Sequence, residues 1–101
     1  MYQLVLQFPA VAVDLDDLIA IEDELMEAVG PPATVDGHDF GSGEGNIFIL
    51  THDPTVTFEM ILPVLRRLSR HRDATAAYRT VGRDGFTVIW PKGFMGEFSV
   101  A

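Results

Sequence analysis

The chain has 101 residues, 48% hydrophobic and 22% charged, which is apolar material for one core and too little length for two. Cysteine is absent and no apolar run approaches the ~20 residues of a membrane helix, so disulfide scaffolds, thiol chemistry and spanning helices are excluded. Net charge is −8, with twelve acids and no Lys or Arg in residues 1–60, and all seven bases with three acids in residues 61–101. An acidic chain is repelled by phosphate backbones, so no nucleic-acid partner is expected, whereas a one-signed acidic surface favours encounter with a basic protein. The same split is also what solubility and helix-end electrostatics produce.

Tyr2, Leu4, Leu6 and Phe8 alternate with Gln3, Val5 and Gln7, which predicts a strand with one dry side, ended by Pro9. The alternation is unlike a secretory leader, so a cytoplasmic setting is expected. Asp14 reads as a helix N-cap, and the helix is predicted from Leu15 to Val29, stopped by Gly30-Pro31-Pro32. At 100° per residue, Leu15, Leu18, Ile19, Leu25, Met26 and Val29 form one stripe, with Asp16, Asp23, Glu24 and Glu27 opposite.

A second strand is expected over Ala33–Phe40, a glycine-rich turn over Gly41–Gly45, and an apolar strand over Asn46–His52, together an antiparallel hairpin. Asp53-Pro54 opens a second helix with an apolar stripe of Phe58, Ile61, Leu62, Leu65 and Leu68, and Pro63 is expected to kink it. Thr75–Val81 and Phe86–Trp90 read as two further strands joined by Gly82-Arg83-Asp84-Gly85, with 91–101 a short tail. The order β-α-β-β-α-β-β makes a single α+β domain. Its first six elements follow the ferredoxin-like pattern, with two helices on one face of an antiparallel sheet.

The densest polar stretch runs from Asp36 to Asn46, with His52 and Asp53 at the end of the returning strand. Period-2 counting places Asp36, His38 and Phe40 on one face, and His52 shares it if the register allows. Two imidazoles and a carboxylate are metal-ligand chemistry, but the spacing matches no known site and an EF-hand register puts Phe40 and Ile47 where oxygens are required. No metal and no cofactor are therefore expected. Gly41, Gly43 and Gly45 precede a strand rather than a helix, against a phosphate cradle, and Ser42 lacks a nucleophile-elbow context.

Glu22 is the sharper oddity, near the middle of the first helix's apolar stripe. A carboxylate there is a general base or ligand contact in a pocket, or a structural pair with an Arg or a Tyr hydroxyl, or it reaches water because the stripe is rotated. On the sheet face away from the helices, Gln3, Val5 and Gln7 are expected, joined by some of His38, Arg79 and Trp90. Trp90 is then either an anchor for a partner or packed under the helices with Phe86 and Val88.

The run from Asp36 to Pro54, with Tyr78-Arg79 and Trp90-Pro91, resembles small uncharacterised bacterial proteins of about this length. The resemblance implies a bacterial ferredoxin-like domain and carries no activity or catalytic residue. Lacking a complete catalytic constellation, the sequence points away from an enzyme and toward a protein-interaction module. Immunity-like or antitoxin-like inhibition is one form this takes, with a basic-surfaced partner or a second copy bound by the acidic helix or the open sheet face. The alternative is a homodimeric small-molecule binder or enzyme using Glu22, His38 or His52, with a pocket at the sheet face or between helix and sheet.

Overall fold

The alternation of the first strand becomes the centre of the sheet. The computed structural model describes residues 1–31 and 33–101, so Pro32, part of the expected helix stop, lies outside the described residues. The elements are β1 (Tyr2–Pro9), α1 (Leu15–Ala28), β2 (Thr34–Gly41), β3 (Glu44–Thr51), α2 (Pro54–Arg67), β4 (Thr75–Thr80) and β5 (Thr87–Trp90). The five strands lie in the order β2-β3-β1-β4-β5, every neighbouring pair antiparallel. Leu4 stands opposite Ile49 and Tyr78, and Leu6 opposite Ile47 and Ala76. This row joins Phe8 and the buried side chains of both helices in one core, so both helices cover the same face.

Each helix starts where the sequence supplies a cap. Asp14 accepts from the Asp17 amide at 2.8 Å while the Asp17 carboxylate accepts from the Asp14 amide, a reciprocal box that satisfies two otherwise unpaired donors. Asp53 accepts from the Val56 amide ahead of α2, with Pro54 at its start. The buried Thr51 and Thr57 hydroxyls lie 2.7 Å apart and tie the end of β3 to that first turn. Pro63 sits exposed inside α2, whose helical span continues past it to Arg67. Arg70 donates to the Ala12 carbonyl at 2.9 Å and lies 3.5 Å from Asp17, and Arg67 lies 3.0 Å from Glu24, linking α2's C-terminal end to α1.

The phase of α1 differs from the wheel drawn on sequence. Leu18, Ile21, Glu22 and Leu25 are buried, whereas Leu15, Ile19 and Met26 are exposed. The buried arc is centred near Leu25 and includes Ile21, which the stripe omitted, because α1 must address the sheet on one side and α2 on the other.

The sheet face away from the helices is not left open. Val5 and Ala77 belong to that face by register and are fully buried. The segment after β5 returns across it: the Gln7 amide donates to the Ser99 carbonyl, the Ala101 amide to the Glu44 carboxylate, and Phe98 meets Phe86 edge-on at 5.0 Å. A face carrying Val5 and Phe48 beside Ala77 is apolar enough to require a cover, and the tail's hydrogen bonds to Gln7 and Glu44 bring it to that face.

Candidate functional site

Two local features of the β2-β3 hairpin decide where its polar residues go. Ser42 and Gly43 occupy the two central turn positions with φ of 53° and 83°, the backbone a type I′ hairpin needs. Ser42 is thus a turn residue at the tip. Further along, the register slips between Val35 and Gly37, a bulge in which Asp36 opposes no residue of β3 and Gly37 takes a φ of 153°. The slip removes Asp36 from the face it was expected to share with His38 and Phe40. It leaves Asp36 exposed, with Val35, His38 and Phe40 opposite Ile49, Ile47 and Gly45 on the helix side.

His38 thereby meets Glu22. Its Nδ1 lies 3.1 Å and 3.2 Å from the two carboxylate oxygens, with the Glu22 side chain 8% exposed and that of His38 33% exposed. An ionised carboxylate only accepts, so Nδ1 carries the hydrogen and Nε2 is the ring atom left for other contacts. Glu22 is the structural pair the sequence allowed for, although its partner is a histidine rather than an Arg or a Tyr. Sequence reasoning named both residues and did not join them, because the bulge fixes which β2 side chains face α1.

His52 lies elsewhere. It follows β3 five residues beyond Ile47, the partner of His38, about 16 Å along the strand. There it borders a depression of about 290 Å³ with Tyr2, Asp53, Pro54, Thr55 and Tyr78. A second depression, of about 260 Å³ and lined by Gln7, Glu44 and Asp73 among others, lies toward the opposite end of β1. Neither is lined by Glu22 or His38. Among the described residues no group of three or more His, Asp or Glu side chains is placed to hold a metal ion. No described helix is long and apolar enough to cross a membrane. Trp90 faces the helix side: it packs on Phe58, lies under the Arg66 guanidinium at 5.9 Å and donates its indole N–H to the His71 carbonyl. Phe86, expected beside it, pairs instead with the tail.

The chain matches no family model, and no curated protein or solved structure is significantly similar to it.

Sequence reasoning missed two groupings. Gln7, Glu44 and Asn46 form one polar network on the tail-covered face, with Asn46 fully buried; the Gln7 amide also reaches the Asn46 oxygen at 3.0 Å, and Asn46 donates to Glu44 at 2.9 Å. The second grouping is a surface. Leu15, Ile19 and Met26 are 42%, 37% and 51% exposed, and Phe40 of the edge strand is 37% exposed. On α1 the three occupy an arc about 40° wide, adjoining Glu22 at the margin of the buried arc. The Glu22–His38 contact puts that margin over β2. A Cβ on Gly45 would meet both Leu18 and Phe40 at 3.2 Å, which places Phe40 beside the start of α1. Next around the helix come Asp16, Asp23 and Glu27, all exposed. Among the described residues no Arg or Lys pairs with them.

Proposed function

We propose that this protein is a non-enzymatic interaction module that binds a protein with a basic and partly apolar surface, through α1 and the β2 edge. One observation carries the reading: apolar side chains that α1 does not bury lie in a single strip beside carboxylates that no Arg or Lys among the described residues pairs. Isolated exposed apolar residues need no explanation, but a contiguous group rimmed by polar residues marks a contact surface. The carboxylates give the strip its preference for a cationic partner and speed encounter with it. The sheet order, with β5 added outside β4, supports a ferredoxin-like domain, and we place it in the bacterial cytosol. Inhibition of a basic partner, as by an immunity protein or antitoxin, is one activity such a surface serves.

Binding to a specific partner is tested by affinity capture from a lysate of the source cell. The expected result is a protein retained at low salt, released at high salt, and not retained by Leu15→Ser/Met26→Ser. Equal recovery on the double variant of everything the parent retains refutes the assignment of the surface.

A further inference from the structure

Resting on that interaction reading, we infer that the occupant of the strip is a cationic amphipathic helix laid alongside α1. The strip is straight and helical in its own period. Leu15, Ile19 and Met26 stand at intervals of four and seven residues and span about 16 Å, or three turns of helix. A facing helix meets such a ridge with apolar residues at i, i+4, i+7 and i+11, the spacing by which helices dock on apolar surfaces.

An added strand fits less well. β2 is an edge of the sheet, but its bulge at Asp36 and the positive φ of Gly37 and Gly41 leave only the stretch from His38 toward the turn regular. Bulges and charged side chains on an edge are what oppose strand addition. A helix placed beside α1 has no need of that ladder, and it covers the same edge from the side.

The charges select the sign of the partner and disfavour a second copy of this chain. Asp16, Asp23 and Glu27 line the outer side of the strip, away from β2, while Asp39 of β2 pairs with Asn46 and so belongs to the opposite face of the sheet. Residues 1–60 hold no Lys or Arg to answer them. Two copies joined antiparallel through this strip would set the Asp16, Asp23 and Glu27 row of one α1 against the same row of the other, a juxtaposition that disfavours association. A helix with Lys or Arg flanking its apolar residues reverses the sign at each contact.

The test uses two synthetic 16-residue peptides of identical Leu, Lys and Ala composition. One has Leu at i, i+4, i+7 and i+11; the other alternates apolar and basic residues at period 2. Binding is followed by fluorescence anisotropy and by amide chemical shifts of the intact protein. The helical-period peptide is expected to bind with salt-sensitive affinity, to shift amides of residues 15–26 and 35–40, and to bind at least tenfold more weakly to Ile19→Ser/Met26→Ser. Both substituted residues are exposed, and the variant keeps the parent's net charge, so loss of folding or of general acidity does not mimic the result. Equal or tighter binding by the alternating peptide at the same amides overturns the helix and leaves the interaction reading intact. Shifts elsewhere, no binding by either peptide, or a dimer in sedimentation that Ile19→Ser dissolves overturns the inference as well. Of these, only the dimer also counts against a basic partner at this surface.

Discussion

Removing the His38 imidazole leaves a carboxylate stranded at the margin of the core. In the folded protein Glu22 accepts from Nδ1 with oxygens at 3.1 Å and 3.2 Å, and among the described residues no other donor reaches it. A hydrogen bond to a charged group contributes about 1.5–3 kcal/mol, and losing it while the carboxylate stays buried incurs the desolvation penalty of that group. Because Glu22 lies at the edge of the buried arc, water replaces part of the loss, and we expect His38→Ala to cost about 2 kcal/mol. For a domain of this size that lowers Tm by about 8–16 °C. The reverse change is expected to be mild: Glu22→Leu leaves an imidazole that is one-third exposed and able to bond to water, at a cost within about 0.5 kcal/mol. In the Glu22→Leu background, His38→Ala should then cost about 1.5 kcal/mol less than in the parent. Urea unfolding of the four proteins, followed by circular dichroism, gives the cycle directly. A coupling energy below about 0.5 kcal/mol, or a Glu22→Leu cost equal to that of His38→Ala, refutes the account of the pair.

The hairpin tip, the helix pair and the returning tail each make a separate prediction. Ser42→Asn should raise stability by about 0.5 kcal/mol and Ser42→Val should lower it by about 1 kcal/mol, read from urea midpoints, because φ at this position is 53° and Asn tolerates that conformation far better than a β-branched residue. Arg70→Ala should cost about 1–1.5 kcal/mol through the lost bond to the Ala12 carbonyl, against about 0–0.5 kcal/mol for Arg67→Ala, whose ion pair is largely in water; equal melting temperatures for the two would contradict the assignment. Phe98→Ala should cost about 1–2 kcal/mol and speed hydrogen exchange at Val5 and Ala77 while leaving Leu25 and Ile61 protected; unchanged exchange at Val5 would show that the tail is not what covers that face.

Strands, turns and caps were legible in the sequence because their signals are local. Alternation in β1, Asp14 and Asp53 as caps, and Pro54 at the first position of α2 need no knowledge of the rest of the chain. Faces were not, because they are set by partners. Asp36 leaves its expected face through a one-residue slip against β3, and Trp90 is placed by the register of β5 on β4, neither of which period counting contains. The apolar residues of α1 spread over an arc wider than the helix buries, so a wheel alone does not say which end of the arc is covered. Ile21 was the available signal: only a buried arc reaching it leaves Leu15, Ile19 and Met26 outside.

The acidic half of the chain divides in the same way. Of its twelve acids, Asp14 and Asp53 cap helices, Asp17 and Glu24 meet Arg70 and Arg67, Glu22 meets His38, and Glu44 accepts from Gln7, Asn46 and the Ala101 amide. Among the described residues six others make no such contact: Asp16, Asp23, Glu27, Asp36, Asp39 and Glu59. Solubility alone would scatter such a remainder over the surface. Three of the six, Asp16, Asp23 and Glu27, instead lie together on α1 beside the strip where hydrophobic side chains are left in water. Unspent apolar area and unspent charge arise from unrelated requirements of folding, so their coincidence on one side of α1 is what supports the proposal of a partner that presents apolar and positive groups together.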